Sequence, residues 1–177
     1  MTRLTIARTD DLEPGMLHQA RSLMDAAFEG EFSDDDWEHS LGGWHVMAWE
    51  GDRLLAHASL VSRRLYVADV PVHAGYVEAL GTAPTSQGRG LGTSVMGPIA
   101  TLIVEHFELG ALSTGEHGFY ERLGWERWRG PSYVRHPTAT VRTPDEDDGI
   151  MVLLTPFTSG IDQSASIACE ARPGDDW

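Results

Sequence analysis

The chain is short of cysteine, of basic residues and of long apolar runs, and each shortage excludes something. A single cysteine, Cys169, in 177 residues rules out an internal disulfide. No Cys/His motif surrounds it, so it reads as a small packing residue and not as a nucleophile. Lys and Arg total 13 against 27 Asp and Glu, a formal net charge of −14. A surface of that sign repels nucleic acid and anionic membrane and attracts cations. No stretch is long enough to span a bilayer. The opening residues, through Ile6 to Asp11, lack the apolar core of a signal peptide. These absences predict a cytoplasmic protein with neither nucleic-acid nor membrane partner.

The rest of the composition is ordinary for a globular protein, with 41% hydrophobic and 23% charged residues. The length suits one domain with one core, so a single domain is expected over 1–177. Residues 2–8 alternate weakly and suit a strand. Glu13 to Phe28 sets Leu17, Ala20, Leu23, Met24, Ala27 and Phe28 at helical spacing, with Pro14 and Gly30 as punctuation. Ser33 followed by three aspartates reads as the capped start of a short helix ending at Gly42-Gly43. Trp44–Glu50 and Arg53–Val67 read as a hairpin about Gly51-Asp52, and Pro71–Gly81 as the next strand. A helix from about Leu91 to Phe107 contains Pro98, which predicts a kink or a restart. Leu109–Thr114 is a strand, His117–Leu123 a short helix closed by Gly124, and Trp125–Val134 a strand-like return. Residues 138–148 read as a loop, Ile150–Leu154 as a final strand, and residues 155–177 as a polar tail wrapping the surface.

The strongest local signal is Gln87-Gly88-Arg89-Gly90-Leu91-Gly92, between a strand and a helix. A helix N-terminus offers N–H groups without intrahelical partners and the positive end of a dipole. Glycines let the backbone approach a diphosphate, and Arg89 adds charge. The nucleotide loops that require a lysine or Gly-x-Gly-x-x-Gly are absent here. A glycine-rich turn that only joins two elements remains open on this loop alone. So does a core aromatic role for Tyr120.

Gln87-x-x-Gly90-x-Gly92, followed downstream by Gly118-Phe119-Tyr120-Glu121-Arg122-Leu123-Gly124-Trp125, resembles the GCN5-related N-acetyltransferase (GNAT) superfamily. The resemblance covers most of the span from Leu4 to Leu154. It implies an α/β (α+β) fold with a central mixed sheet, splayed between its fourth and fifth strands and flanked by helices. It implies acetyl-coenzyme A as cosubstrate and no metal. Backbone N–H groups of Gly88, Arg89, Gly90, Leu91 and Gly92 would hold the pyrophosphate, next to Gln87. Leu80, Gly81 and Thr82 would pair with the pantetheine like an added strand. The tyrosine of the second motif, Tyr120, would protonate the departing thiolate. Glu78 on the preceding strand is the base candidate, directly or through a water. His73 is the alternative, five residues away and so on the opposite face.

A narrower resemblance follows. Phe28-Glu29-Gly30-Glu31-Phe32, Asp36-Trp37-Glu38-His39-Ser40-Leu41-Gly42-Gly43, Gly75-Tyr76-Val77-Glu78, Gly110-Ala111-Leu112-Ser113, Arg142-Thr143-Pro144-Asp145 and Gly174-Asp175-Asp176-Trp177 resemble the aminoglycoside 2'-N-acetyltransferases. A polyammonium substrate fits the charge balance, because a pocket for it needs several carboxylates. The resemblance implies substrate contacts at Glu31, Asp36, Glu78, Ala79, Ser113, Glu146, Asp147, Asp175 and the α-carboxylate of Trp177. Glu31 replaces the family's common Asp. Ala79 stands where relatives have Gly. The acidic run 145–148 carries one more residue than the corresponding run of relatives. These departures bear on the acceptor more than on the reaction, and leave kasugamycin or a polyamine open beside the deoxystreptamine drugs. They also leave open a protein that sequesters a drug without turnover. The superfamily often dimerises, which leaves a homodimer open.

Overall fold

The computed structural model describes residues 2–177. The chain forms two compact units, each assembled from separate segments: residues 1–61 with 77–101, and residues 62–76 with 102–177.

In the first unit, strand β1 (Arg3–Arg8) leads into helix α1 (Pro14–Ala27), helix α2 (Asp34–His39) and strand β2 (Trp44–Glu50). α1 buries Ala20, Leu23 and Met24, which recur at helical spacing, and Pro14 sits in its first turn. Arg21 then fixes the chain that follows. Its guanidinium bonds Asp25 at 2.9 Å and Asp34 at 3.0 Å and donates to the carbonyl of Phe32. α2 opens on a capping box. Ser33 Oγ accepts from the N–H of Asp36, whose carboxylate accepts from the N–H of Ser33. Strand β3 (Arg53–Val67) follows the turn at Gly51, which has φ +61°. β1 pairs antiparallel with β2 and β2 with β3, in a register that sets His45 opposite Ser59 and Met47 opposite His57. Strand β4 (Val70–Thr82) lies next to β3. Leu12, Leu23, Met24, Phe32, Met47, Trp49 and Leu54 pack into one core, with Ala79 against it. Helix α3 (Leu91–His106) runs through Pro98 as one helix, so the expected restart does not occur.

The second unit holds the far portions of β3 and β4, with strand β5 (Leu109–Ser113), helix α4 (His117–Glu121) and strands β6 (Glu126–Arg127), β7 (Ser132–Arg135), β8 (Thr140–Arg142), β9 (Ile150–Leu154) and β10 (Ile167–Glu170). The strand order is β6-β9-β5-β4-β3-β10-β7-β8. β4 pairs parallel with β5 over Ala74–Tyr76 and Leu109–Ala111, and β5 pairs antiparallel with β9 along its length.

Three expectations fail here. The return after Trp125 is two short strands, because the chain between them turns to residues 163–165. Trp128 Nε1 donates to the carbonyl of Ala165 at 2.9 Å. A Cβ on Gly130 would lie 1.7 Å from that same oxygen, so only glycine fits. The loop at 138–148 contains β8, paired antiparallel with β7. The tail does not merely wrap the surface. Its β10 lies between β3 and β7, parallel to β7, with Ile167 and Cys169 fully buried. Among the described residues, no helix is long and apolar enough to cross a membrane.

Candidate active site

In the first unit, β4 feeds the glycine loop directly. After Thr82 comes one turn of 3-10 helix (Pro84–Ser86), then Gln87–Gly90, then α3. Gly88 and Gly90 have φ of +74° and +75°, which L side chains rarely adopt, and a Cβ at either would meet nothing within 4 Å. The loop is therefore glycine-rich for its backbone shape and leaves open space above it, as a diphosphate cradle requires. The Arg89 guanidinium bonds Glu50 at 2.9 Å, and Arg53 reaches the Thr85 hydroxyl at 2.7 Å. Gly81 has a different reason to be glycine. A Cβ there would press on the Met24 side chain of α1 at 2.6 Å.

Glu78, Ala79 and Leu80 are half-buried on β4. Ala79 stands at φ +46° within the strand. A residue with a Cβ is held there only when its surroundings over-determine it. Those surroundings are visible. Ser59 Oγ donates to the carbonyl of Glu78 at 3.1 Å, and His57 Nδ1 lies 3.0 Å from the carbonyl of Ala79. His57 Nε2 in turn lies 2.9 Å from His45 Nδ1. Burial pushes His45 down to about 4. Burial, aided by His45, pushes His57 down to about 3.

Of the other first-unit candidates, Glu31 is exposed at the turn after α1, and Asp36 spends one carboxylate oxygen on the cap of α2.

In the second unit, Tyr120 is buried on α4, its ring edge-on to those of Phe119 and Trp125. Burial, then the charge of Glu116, pushes its hydroxyl up to about 12. Ser113 ends β5, with its Oγ 3.5 Å from Glu146 Oε2. Burial and the nearby charge of Asp175 push the Glu146 carboxyl above the usual range. Ser113 and Glu146 are thus brought together, with the charge of Asp175 acting on Glu146. Asp147, one residue on, is committed elsewhere. Its carboxylate takes both the N–H and the hydroxyl of buried Ser132 and is gripped by two nitrogens of Arg142. The Arg142 bonds hold it down at about 2. Trp177 is 5% exposed. His73, the alternative base, bonds Ser62 Oγ at 2.9 Å, and its ring lies tilted against that of Phe107 at 4.9 Å.

Sequence reasoning missed the residues behind these candidates: His45, His57 and Ser59 in the first unit, and Ser132 and Arg142 in the second. A signal existed for one pair. His45 and His57 interrupt otherwise apolar strands, and the hairpin places them on the same diagonal. Among the described residues, no group of three His, Cys, Asp or Glu could hold a metal ion.

Comparison with known proteins supplies the family. A family model described as an acetyltransferase (GNAT) domain matches residues 8–128. A protein named aminoglycoside 2'-N-acetyltransferase, from Mycolicibacterium fortuitum, is 40% identical over 97% of this chain and 90% of its own length. Among solved structures, the GNAT family N-acetyltransferase YhbS from Escherichia coli, in complex with CoA, covers 96% of this chain and 91% of its own. Its TM-score is 0.68 and its identity 14%. A GCN5-related N-acetyltransferase from Kribbella flavida matches 73% of this chain with TM-score 0.59 and 18% identity, and the chain spans 34% of that one. The mixed sheet with flanking helices is the fold these acetyltransferases share. The chain belongs to the GNAT acetyltransferase family.

Proposed function

We propose that this chain, acting as one acetyltransferase domain, transfers the acetyl group of acetyl-coenzyme A to the 2'-amine of aminoglycosides. The observation that carries the reading is the 40% identity, over 97% of the chain, to a protein named for that activity. The charge of −14 and the pairing of Ser113 with Glu146, on which the charge of Asp175 acts, support it, since a polyammonium ligand is held by carboxylates.

The substrate binds as an ammonium. Glu78, through a water, takes one proton from it. The free amine attacks the thioester carbonyl, the C–N bond forms, and the C–S bond then breaks with its electron pair going to sulfur. An N–H at Ala79 or Leu80 holds the developing oxyanion. The N–H groups of residues 88–92 bind the pyrophosphate, and Leu80, Gly81 and Thr82 pair with the pantetheine. Glu31, Asp36, Ala79, Ser113, Glu146, Asp175 and Trp177 receive the antibiotic. Asp147 fixes the turn that carries Glu146.

The role of Tyr120 is constrained by its acidity. A thiol of pKa about 8.5 is a stronger acid than a buried phenol at about 12. Complete transfer from Tyr120 to the thiolate runs uphill unless the phenol is reprotonated. Tyr120 therefore donates a hydrogen bond to the leaving sulfur. As its proton passes to the thiolate, the second proton, which the nitrogen loses after attack in becoming an amide, restores the phenol, while the first leaves through Glu78 and water.

The reading makes this a cytoplasmic enzyme of small cationic molecules, with no nucleic-acid or membrane partner. Sedimentation tests for the homodimer.

The test is coenzyme A release with paired acceptors. Tobramycin carries a 2'-amine, and kanamycin A a 2'-hydroxyl. Turnover of the first and not the second is expected. Turnover of kasugamycin or spermidine alone would keep acetyl transfer and discard the acceptor. Binding of tobramycin without any coenzyme A release would make the chain a sequestering protein.

A further inference from the structure

Two consecutive carbonyls of β4, those of Glu78 and Ala79, are held by buried side chains of β3. Ser59 donates to the first at 3.1 Å, and His57 Nδ1 lies 3.0 Å from the second. His57 and Ser59 are two residues apart and so share one face of the strand. Behind His57 the chain of contacts continues through His45 Nδ1 at 2.9 Å, and from His45 Nε2 to Thr9 Oγ1 at 2.8 Å. Thr9 Oγ1 accepts from the N–H of Gly42 at 2.9 Å. His45, His57 and Ser59 are fully buried.

The carbonyl at the end of this relay fixes every proton in it. A carbonyl only accepts, so His57 carries its hydrogen on Nδ1 and offers a lone pair on Nε2. His45 must then carry its hydrogen on Nδ1, and the Thr9 hydroxyl donates to His45 Nε2. Both rings are neutral and every group in the relay has a partner. Burial favours the same state, since it opposes charging either ring.

The carbonyl of one residue and the N–H of the next belong to a single peptide group. The carbonyl of Glu78 shares its peptide with the Ala79 N–H, and the carbonyl of Ala79 shares its peptide with the Leu80 N–H. A donor on the oxygen polarises the whole amide and makes the N–H at its other end a stronger donor. We propose that His57, aimed by His45 and Thr9, and Ser59 are positioning residues that polarise the 78–79 and 79–80 peptides and thereby strengthen the N–H that holds the thioester oxygen during acetyl transfer. The inference rests on the reading that one of those two N–H groups polarises the thioester. It adds that the polarising power is set from behind, by residues that never touch substrate. It also accounts for Ala79 at φ +46°, since the two side-chain bonds hold the strand in that turn.

The experiment reads the thioester itself. Acetyl-coenzyme A labelled with carbon-13 at the acetyl carbonyl is bound to the protein without acceptor, and its C=O stretch is measured by difference infrared spectroscopy. In the wild type the stretch moves to lower frequency than in water. Ser59→Ala and His57→Gln, whose amide is placed near the lost Nε2 and not near Nδ1, reduce that shift. His57→Asn, which retains a donor where Nδ1 was, keeps it. The two damaging variants lower kcat roughly tenfold while the acetyl-coenzyme A KM stays within about threefold, less than the loss of an oxyanion donor itself. Nitrogen-15 shifts of the wild-type rings report both histidines as neutral Nδ1–H tautomers.

Equal shifts in wild type, His57→Gln and Ser59→Ala overturn the inference, as does a wild-type His57 with its hydrogen on Nε2 alone. Ser59→Ala removes only a hydroxyl, so a folded variant is available if His57→Gln is not. A wild-type protein that binds acetyl-coenzyme A with no shift at all overturns the inference and the oxyanion reading beneath it. The spectrum needs no acceptor, so failure of the aminoglycoside assignment registers separately, in the coenzyme A release assay.

Discussion

Arg63 Nη2 donates to the backbone carbonyl of Asp176 at 2.7 Å, joining β3 to the second residue from the C-terminus. The same guanidinium lies over the Tyr76 ring at 4.6 Å, and Cys169 Sγ approaches the same carbonyl at 3.3 Å. The tail is thus held at its end by a charged donor. Arg63→Met leaves that carbonyl without its strongest partner, at a cost of about 1–3 kcal/mol. The predicted result is a lower Tm and an aminoglycoside KM raised about tenfold, one decade per 1.4 kcal/mol, with the acetyl-coenzyme A KM unchanged. Two-substrate kinetics check this. Equal rises in both KM values would mean that the tail serves folding alone.

Glu146 and Asp147 are adjacent and of like charge, yet the structure gives them different work. Glu146 faces Ser113 and feels Asp175, whereas Asp147 is tied to Ser132 and Arg142. Glu146→Gln is predicted to raise the aminoglycoside KM and leave Tm within about 2 °C, a change of about 1 kcal/mol or less for a domain of this size. Asp147→Asn is predicted to lower Tm clearly, since a charge-assisted bond to Arg142 and the bonds to buried Ser132 are weakened, at about 1–3 kcal/mol. Differential scanning fluorimetry beside kinetics separates the two. A reversed pattern would exchange the roles assigned to these residues.

That contrast marks where the sequence stops being legible. An acidic run announces carboxylates, but residue type does not say which of them is committed to an arginine five residues away and which is not. Elements with local punctuation were readable. Pro14 and Gly30 bound α1, Gly51 turns the hairpin, and the φ values of Gly88 and Gly90 explain the loop. β8 and β10 were not readable, because strands of three and four residues are too short to show a pattern, and β10 draws its stability from partners far along the chain. Glu78 was singled out by its place on the strand before the glycine loop, and Tyr120 by a motif. The histidines behind Ala79 carried a weaker signal, two polar residues in apolar strands, whose meaning appears only once the hairpin register pairs them.

The same pair predicts how the fold responds to acid. Burial depresses both histidines below the ordinary 6.5, to about 4 for His45 and about 3 for His57. The unfolded chain therefore takes up protons first as pH falls, and folding loses stability from about pH 6.5 down to about pH 4, with a slope approaching 2.7 kcal/mol per pH unit when both sites are protonated only in the unfolded state. Asp147, held at about 2, acts in the same direction but below its ordinary 3.8, outside that window. Glu146, shifted upward, opposes the trend, since its folded form holds a proton more readily than the unfolded chain does. Urea denaturation at pH 7, 6, 5 and 4.5 measures the slope. Replacing both rings, as His45→Leu with His57→Leu, should flatten it, and an unchanged slope in that variant would assign the acid sensitivity elsewhere.

Tyr120 supplies the complementary prediction on the alkaline side. With its hydroxyl pushed up to about 12 by burial, it stays protonated throughout the working range, so any alkaline fall in kcat below pH 10 belongs to another group. Ultraviolet difference titrations of the wild type and Tyr120→Phe should differ by one tyrosine that ionises only at about pH 12. The substitution deletes a hydroxyl that is worth most when charge builds on the leaving sulfur. It should therefore lower kcat by about 10²-fold, in the range of general acid catalysis, and change neither KM by much. A thioester with a more acidic thiol needs less help to depart, so the deficit should shrink with such a donor. If Tyr120→Phe slows good and poor leaving groups equally, the hydroxyl is a packing feature of α4 and the sulfur takes its proton from elsewhere.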